Sequence, residues 1–435
     1  MSEELQLLIE KLVYGGDGLG HAEGNTVFTP YVLPAEEIRA EVTSRKKKLL
    51  WAKPLEILKA APARVKPECP HFGTCGGCHY QHASYDAQVK FKLEILRETL
   101  SRMGGVSWAG EIEIHIGEPL HYRNRAQWVV SNAHPRALGY YLPESNAIVP
   151  IDHCDVLSPA LAETFARLQE ITRRGSLPAE VLEIEAFVDS SDAKIALNVA
   201  FKEFRNPVPE LTKLFHDTVP ALQSLLLLDQ KKNRFELSGP GYLIQEASGY
   251  QFRVSHLSFF QVNRFLVEDL LRTVIAGAKG DLALDLYAGV GFFTLPLTKT
   301  FQRVVSVDAN LSATRNLREN ADTADTSIVS QHLQTEEFLK TATEAPDFVV
   351  LDPPRAGLGQ TSAQKLAELG PKEIAYLSCD PSTLARDLAI LMQTSRKPAD
   401  STPSKHRYEI TSMDFFDLFP QTYHIEALVR LRRME

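Results

Sequence analysis

The run Leu282-Ala283-Leu284-Asp285-Leu286-Tyr287-Ala288-Gly289-Val290-Gly291-Phe292-Phe293-Thr294 decides the fold of the C-terminal part of the chain. It begins as an apolar strand over Leu282–Tyr287, turns at a Gly-x-Gly sequence and continues as a helix over Phe293–Lys299. A second apolar strand follows at Val304–Asp308. This order of strand, turn, helix and strand predicts a parallel sheet with helices on its faces.

The same alternation continues to the end of the chain, which predicts one α/β domain from about residue 256 to residue 435. The further strands that we predict are Phe348–Asp352, Glu373–Leu377, Tyr408–Met413 and His424–Leu431. Between the last helix and the last two strands, residues 394–406 are rich in Ser, Thr, Lys and Pro, a composition that predicts an exposed loop.

The Gly-x-Gly turn at Gly289 and Gly291 predicts a nucleotide-type cofactor, because glycine lets a ligand approach the backbone closely. Asp308 ends the next strand, where a carboxylate can bind ribose hydroxyls. A dinucleotide and S-adenosylmethionine both fit this pattern. Thr294 stands where the dinucleotide motif has its third glycine, which favours S-adenosylmethionine.

Cys379 lies just after the predicted strand Ile374–Leu377, at a turn into a helix that we expect Ser382 or Thr383 to cap. The partial positive charge of a helix N-terminus favours a thiolate over a thiol, which suits a nucleophile. A lone cysteine is also commonly a small buried apolar side chain. The two interpretations remain open on this stretch alone.

Two carboxylates, Asp352 and Glu426, are further candidates. Asp352 follows a buried strand and precedes Pro353-Pro354, so a stiff loop holds it at the edge of the sheet where ligands bind. A simple strand-ending turn is the alternative. Glu426 lies in an apolar strand, where an ion pair with a neighbour is the simplest interpretation.

Residues 1–62 alternate short apolar runs with glycine turns such as Tyr14-Gly15-Gly16-Asp17-Gly18, which predicts a small β-barrel. The basic run Arg45–Lys48, near Trp51 and Lys53, is either a phosphate contact or a solvated loop. This segment resembles the TRAM domain, an OB-like barrel found on RNA-modifying enzymes. The resemblance implies a face that binds RNA.

Three cysteines, Cys69, Cys75 and Cys78, follow C-x5-C-x2-C spacing in a glycine-rich loop that can wrap a metal centre. Cys154 is the remaining candidate for a fourth ligand. Four thiolates suit a [4Fe–4S] cluster or structural zinc. A redox pair of Cys75 and Cys78 is a third possibility, but it leaves Cys69 unexplained.

Residues 63–255 are predicted to form a central α+β domain that carries Cys154. Its predicted helices cover residues 84–103, 159–174 and 209–217, and its predicted strands cover residues 111–116, 126–130 and 196–201. The sequence Tyr122-Arg123-Asn124-Arg125 combines cations with an aromatic ring, so it is either an RNA contact or strand-end surface charge.

Composition limits the class of protein. The 435 residues carry a net charge of −8, which argues against indiscriminate nucleic-acid binding but allows a local basic patch. No apolar run reaches the roughly 18 residues of a membrane span, and Met1-Ser2-Glu3-Glu4 lacks the layout of a signal peptide. We therefore expect a cytoplasmic protein without a membrane partner, in which clustered cysteines are ligands or catalysts rather than disulfides.

Taken together, these motifs resemble the bacterial RNA (uracil-5-)-methyltransferases, and most of all their iron–sulfur 23S rRNA members. The segments that carry the resemblance are Cys69–His82, Phe260–Asn263, Leu284–Leu297, Leu351–Gly357, Ser378–Asp387 and Pro420–Leu431. The resemblance implies a TRAM barrel over 1–62, a central iron–sulfur domain over 63–255 and a class I (Rossmann-like) methyltransferase domain over 256–435. It also implies that helix 84–103 packs on the C-terminal domain, and that a monomer acts on RNA, namely 23S rRNA.

The resemblance further implies a mechanism. A Cys379 thiolate adds to uracil C6 of a flipped-out uridine, C5 then accepts the methyl group, and Glu426 removes the C5 proton. The implied cofactor pocket is lined by Gln261, Tyr287, Gly289, Gly291, Phe292, Asp308 and Asp352, and Asp352 also lies close to the target base. Phe292 departs from the polar residue expected there. The alternatives are a methyltransferase for the T-loop uridine of tRNA and an inactive RNA-binding metalloprotein, against which intact Cys379, Asp352 and Glu426 argue.

Overall fold

The computed structural model describes residues 3–143, 145–398 and 404–435. Met1, Ser2 and residues 399–403 of the predicted loop 394–406 lie outside the described residues. The chain divides into two compact units. The first contains residues up to Glu98 together with residues 140–151 and 419–424, and the second contains the remainder.

The strands, in chain order, are β1 (Glu4–Leu12), β2 (Gly18–Ala22), β3 (Asn25–Thr29), β4 (Glu37–Lys46), β5 (Leu49–Lys59), β6 (Glu113–His115), β7 (Arg125–Val130), β8 (Leu138–Tyr141), β9 (Ile148–Pro150), β10 (Val181–Val188), β11 (Ile195–Phe201), β12 (Leu222–Asp229), β13 (Arg234–Ser238), β14 (Tyr242–Ala247), β15 (Tyr250–Ser255), β16 (Gly280–Leu286), β17 (Phe301–Asp308), β18 (Val329–His332), β19 (Phe348–Leu351), β20 (Glu373–Ser378), β21 (Tyr408–Phe416) and β22 (Glu426–Arg433). The helices are α1 (Tyr85–Gly104), α2 (Pro159–Arg173), α3 (Val208–Thr218), α4 (Val267–Ile275), α5 (Thr294–Leu297), α6 (Leu311–Thr323), α7 (Thr335–Thr341), α8 (Gln360–Leu369) and α9 (Pro381–Leu391).

A closed five-stranded barrel occupies the start of the first unit, with the strand order β1-β2-β3-β5-β4. Along β1, the side chains of Leu5, Leu7 and Ile9 alternate into the barrel core, as period-two patterning requires. Gly20 has no room for a side chain, since a Cβ there would lie 2.4 Å from the carbonyl oxygen of Leu8. The barrel predicted from short apolar runs and glycine turns is confirmed.

Helix α1 follows the barrel and the cysteine loop, within one residue of the predicted bounds. Its residues up to Glu98 belong to the first unit. The helix ends at Gly104, and Gly105 adopts a left-handed conformation with φ of 60°, a common helix terminator.

The second unit contains a mainly antiparallel sheet in which β13, β12, β11, β10, β7 and β8 pair in that order, with β11 and β12 parallel. Helix α2 begins at Pro159 after the N-cap Ser158, whose side chain accepts a hydrogen bond from the backbone N–H of Leu161. Strands β14 and β15 follow β13 in the chain and pair with each other as an antiparallel hairpin. The strands and helices predicted here are present, with one exception.

The exception is the predicted strand at 111–116. The structure forms only β6 there, and β6 pairs in parallel with β21, with Glu113 opposite Asp414. It therefore joins the C-terminal sheet instead of the central one. The local sequence contains a strand pattern but no information about its distant pairing partner, so this placement could not be predicted.

The C-terminal sheet has eight strands in the order β18-β17-β16-β19-β20-β22-β21-β6. The five strands β16 to β20 are parallel to one another. Strand β22 lies between β20 and β21 and runs antiparallel to both. The strand order reverses between β16 and β19, and ligands bind at the carboxyl ends of strands at such a reversal. The predicted α/β architecture is confirmed.

The register brings several strand ends to one edge. Leu286 lies opposite Val307 and Leu351, and Leu351 lies opposite Tyr376. Because β22 runs antiparallel to β20, with Ser378 opposite Ala427, its first residue lies at this same edge. Tyr287, Asp308, Asp352, Cys379 and Glu426 therefore all lie at this edge.

No helix in the described ranges is long and apolar enough to cross a membrane.

Candidate active site

Cys379 lies between the end of β20 and the start of α9, and it is half-buried. The N-cap of α9 is Asp380, whose carboxylate accepts the backbone N–H groups of Ser382 at 2.8 Å and Thr383 at 3.0 Å. The prediction that Ser382 or Thr383 caps this helix is therefore wrong, because Pro381 occupies the first helical position and the cap is Asp380, two residues before Ser382.

The charges around Cys379 oppose its ionisation. Burial raises the pKa of the thiol to about 12, and the carboxylates of Glu426, Asp352 and Asp380 add to the effect, while the guanidinium of Arg355 lowers it. The prediction that the helix N-terminus favours a thiolate is wrong for this chain, since burial and nearby carboxylates outweigh the helix dipole. Cys379 thus holds its proton until something changes these charges.

Glu426 and Asp352 interact with each other. Burial and the charge of Asp352 raise the pKa of Glu426, which is 5% exposed, well above its usual range. Burial raises the pKa of Asp352 to about 7, and a hydrogen bond of 3.2 Å from the amide of Gln261 to Asp352 Oδ2 opposes that rise. The pKa of Glu426 is therefore set by burial and a carboxylate, not by the ion pair that its strand position suggested.

The turn after β16 is tied to the end of β17. The carboxylate of Asp308 accepts the backbone N–H of Gly289 at 2.8 Å and that of Asn310 at 2.7 Å. Gly289 has φ of 55° and no atom within 4 Å of the position of a Cβ, so open space faces the turn. Gly291 has φ of 93° and packs closely against Leu317 of α6. The turn can accept a ligand at its first glycine.

Asp285 is a buried carboxylate that the sequence analysis missed. It accepts the hydroxyl of Thr294 at 2.6 Å, and that hydroxyl lies 2.9 Å from the hydroxyl of Ser306. Burial raises the pKa of Asp285 to about 7, with Asp308 and Asp352 adding to the rise. Thr294, at the position of the missing third glycine, therefore donates a hydrogen bond to this carboxylate. An acid inside an apolar strand was the signal that could have found it.

Phe292 and Tyr287 flank the turn differently. The ring of Phe292 packs among Phe252, Phe260 and Phe293, with a centroid distance of 5.4 Å to Phe260. Because Phe260 immediately precedes Gln261, this aromatic cluster supports the chain that carries the Gln261 amide. Tyr287 has φ of 65°, an uncommon conformation for a non-glycine residue that occurs at functional sites.

Asp387 is a second residue to which the sequence analysis gave no role. Its buried carboxylate accepts hydrogen bonds from the hydroxyl of Tyr376 and the backbone N–H of Leu358, both at 2.7 Å, and from Nε of Arg386 at 2.9 Å. Arg386 also donates to the carbonyl oxygen of Ala356 at 2.8 Å. These bonds fasten α9, which follows Cys379, to the loop that follows Asp352.

The guanidinium of Arg125 makes hydrogen bonds within the protein. Its guanidinium donates to Glu185 at 2.7 and 3.0 Å, to the carbonyl oxygen of Ser258 at 2.6 Å and to that of His256 at 3.0 Å. Tyr122 is fully buried. The RNA contact considered for residues 122–125 is therefore not supported at either residue.

The cysteine loop lies in the first unit and consists of turns. The N–H of Gly77 donates to the sulfur of Cys75 at 3.4 Å. Burial raises the pKa of the Cys75 thiol, the hydrogen bond from Gly77 opposes that rise, and the charge of Cys69 adds to it. Cys78, like the other two, is half-buried, whereas Cys154 belongs to the second unit. Among the described residues, no group of three or more His, Cys, Asp or Glu side chains is arranged to hold a metal ion.

The reversal of strand order, the glycine turn and the acidic strand ends define an α/β enzyme that binds a nucleotide-type cofactor. The sequence model of the tRNA (Uracil-5-)-methyltransferase family matches residues 84–434. The chain belongs to this family, as its motifs predicted. Its cofactor is accordingly S-adenosylmethionine and its substrate class is RNA.

Relatives match over nearly the whole chain. An uncharacterized RNA methyltransferase of Aquifex aeolicus is 31% identical over 98% of each chain. A 23S rRNA (uracil(1939)-C(5))-methyltransferase of Alkalilimnicola ehrlichii is 30% identical over 99% of this chain and 97% of its own. The crystal structure of the Pyrococcus abyssi tRNA (uracil-54, C5)-methyltransferase with S-adenosyl-L-homocysteine has a TM-score of 0.75 and 25% identity, and it covers 99% of this chain and 100% of its own.

The raised pKa of Cys379 makes its reactivity testable without any substrate. Below a pKa of about 12, the thiolate fraction rises about tenfold per pH unit. Iodoacetamide should therefore modify Cys379 far faster at pH 9 than at pH 7, as measured by mass spectrometry of its peptide. Asp352→Asn removes a negative charge and should speed the reaction at pH 9 by about tenfold. Asp281→Asn, at the opposite end of β16, is the matched control, and equal rates in all three proteins would contradict this picture.

Proposed function

We propose that the chain methylates C5 of a specific uridine in 23S rRNA through covalent addition of Cys379 to uracil C6. The observation that carries the proposal is the pairing of β20 with β22, which brings Cys379 and Glu426 to the same sheet edge as Asp352. Relatives named as 23S rRNA methyltransferases, at 29–30% identity over nearly the whole chain, support rRNA as the substrate. The likeness to a tRNA methyltransferase makes the T-loop uridine of tRNA the second candidate.

The reaction begins when Cys379 loses its proton to solvent. Its sulfur forms a bond to C6, the electrons of the C5–C6 double bond move onto O4, and C5 becomes nucleophilic. S-adenosylmethionine, when bound, supplies the electrophilic methyl group on a positively charged sulfur. Asp352 and Gln261 would help hold the cofactor, and its positive charge would favour the ionised forms of nearby Asp352, Glu426 and Cys379, which burial otherwise suppresses.

Glu426 is the base that completes the turnover. After C5 has gained the methyl group, Glu426 takes the C5 proton, the C5–C6 double bond reforms and the Cys379 sulfur leaves. A carboxyl whose pKa is raised by burial is better matched to this task near neutral pH than an exposed one. Asp352, which is coupled to Glu426 by charge, is the third member of this catalytic group.

The remaining residues of the edge are assigned to the cofactor. We assign Gly289 and Gly291 to the close approach of the ligand, and Asp308 to the ribose hydroxyls. Gln261 and Tyr287 complete the pocket, while Phe292 shapes it through the aromatic cluster. The open space at Gly289 and the backbone bonds that orient Asp308 support this assignment.

We assign Cys69, Cys75, Cys78 and Cys154 to a [4Fe–4S] cluster, with structural zinc as the alternative. The N–H to sulfur bond at Cys75 suits a cluster, whose sulfur ligands commonly accept such bonds. When bound, the cluster would hold the cysteine loop in one conformation. We further assign the barrel to RNA binding as a TRAM domain of residues 1–62, with Lys46, Lys47 and Lys48 exposed at the β4–β5 turn. The domain boundaries at 62 and 255 and a monomeric state belong to the same proposal.

Glu426→Gln separates addition from proton removal. The variant keeps Cys379 and should still add to C6 and accept the methyl group, but it cannot remove the C5 proton. We therefore expect an enzyme–RNA adduct that survives denaturing electrophoresis, and turnover reduced by at least about 100-fold. Cys379→Ala is the matched control and should give neither adduct nor product. Normal turnover of Glu426→Gln would remove Glu426 as the base.

The RNA substrate is tested in cells that lack this chain. We expect one 5-methyluridine to disappear from 23S rRNA while 5-methyluridine in tRNA remains, as mapped by mass spectrometry of the purified RNAs. Restoring the wild-type chain should restore the nucleotide, and restoring Cys379→Ala should not. Loss of the tRNA nucleotide instead would establish the second candidate.

The metal assignment predicts a coloured protein. Purified without oxygen, the chain should contain about four iron ions and show the visible absorption of an iron–sulfur cluster. Substituting any one of the four assigned cysteines by serine should reduce both signals, whereas Cys379→Ser should retain them. A colourless protein with one zinc ion per chain would replace the cluster by structural zinc.

A further inference from the structure

The segment Phe419–His424 directly precedes the strand that carries Glu426. It belongs to the first unit, whereas residues from Ile425 onward belong to the second. The chain thus passes from one unit to the other immediately before the proposed base. The segment is therefore covalently continuous with the start of β22.

Gln421 is the most tightly held residue of the segment. Its backbone has φ of 68°, a conformation that costs energy for a non-glycine residue. Gln88 of α1 accepts the N–H of Gln421 at 3.0 Å and donates to its side-chain oxygen at 2.9 Å. The carbonyl oxygen of Gln421 accepts the N–H groups of His79 at 2.8 Å and Tyr80 at 2.9 Å. Four hydrogen bonds therefore fix one strained residue.

A buried lysine fixes the segment at a second point. Lys92 follows Gln88 by one helical turn on the same face of α1, and it is 0% exposed. Its Nζ donates to the carbonyl oxygen of Phe419 at 3.0 Å. Burying an ammonium group is costly unless it makes such bonds. An apolar contact would hold the segment with less cost, so the polar contacts indicate that its exact conformation matters.

The cysteine loop participates directly in these contacts. His79 and Tyr80, the donors to Gln421, immediately follow Cys78, and the ring of His79 packs against Tyr423 at a centroid distance of 4.6 Å. A change in the cysteine loop is thereby passed to Gln421, which precedes Glu426 by five residues. Misplacing a catalytic group by about 1 Å can reduce a rate by about 100-fold.

We propose that Gln88 and Lys92 are positioning residues that set the place of the base Glu426 by clamping Gln421 and Phe419, and that this clamp connects the cysteine loop to the proton-removal step. The inference rests on the proposed function, because it assigns a consequence to Glu426. It gives helix α1 and the cysteine loop a role in one chemical step.

Gln88→Met tests the clamp, since methionine preserves the size of the side chain and removes its hydrogen bonds to Gln421. We expect turnover with 23S rRNA to fall by about 10- to 100-fold and the covalent enzyme–RNA adduct to accumulate, because Cys379 still adds while Glu426 is misplaced. Lys92→Met should act in the same direction. Lys90→Met, on the exposed side of the same helix, is the matched control and should behave as the wild type.

A double-substitution comparison distinguishes positioning from general destabilisation. If Gln88 acts through Glu426, Gln88→Met should have no further effect on turnover in a Glu426→Gln background. Rates and adduct fractions are measured per folded protein, which a thermal melt quantifies. Additive effects, or slower turnover without adduct in both Gln88→Met and Lys92→Met, would overturn the inference while leaving the methyltransferase intact. A wild-type chain that neither methylates nor captures RNA would overturn the proposed function itself.

Discussion

The antiparallel pairing of β22 beside β20 is the constraint on which the candidate site depends. In a wholly parallel sheet, Glu426 would begin its strand at the edge opposite Cys379, because parallel strands all end on one side. Reversing β22 places its first residue beside the last residues of β20, with Ser378 opposite Ala427. The proposed nucleophile Cys379 and the proposed base Glu426 thus lie at the same edge of the sheet. The insertion of β22 between β20 and β21 also buries Glu426 on both sides of its strand.

Burial then determines the chemistry of this edge. Asp285, Asp352, Glu426 and Cys379 all have pKa values raised by burial, and nearby carboxylates raise those of Asp285, Glu426 and Cys379 further. Such a cluster repels the pyrophosphate of a dinucleotide but attracts a cationic sulfur, which provides a physical reason for S-adenosylmethionine that the missing third glycine only suggested. A bound cation would shift these groups further toward their ionised forms.

Local sequence patterns were sufficient for the architecture but not for the interactions that tune the site. The apolar strand before Gly289 and the alternation along β1 predicted the α/β domain and the barrel, because both folds follow from short-range periodicity. The partner of β6 could not be predicted, since pairing with β21 depends on residues far along the chain. The pKa of Cys379 was predicted in the wrong direction, because a helix N-terminus is visible in sequence while surrounding carboxylates are not. The assigned metal ligands rest on spacing, on resemblance and on the N–H to sulfur bond at Cys75.

The two reacting groups are held by separate polar networks. On the nucleophile side, Asp387 bonds Tyr376, Leu358 and Arg386, so α9 and the Asp352 loop form one rigid piece within the second unit. On the base side, Gln88 and Lys92 act on the segment before Glu426 within the first unit. In the proposed mechanism, addition to C6 depends on the first network and proton removal depends on the second. If each network can fail alone, the covalent intermediate is the species that separates them, and the proposed clamp would let an early helix and a cysteine loop influence a late step without touching the substrate.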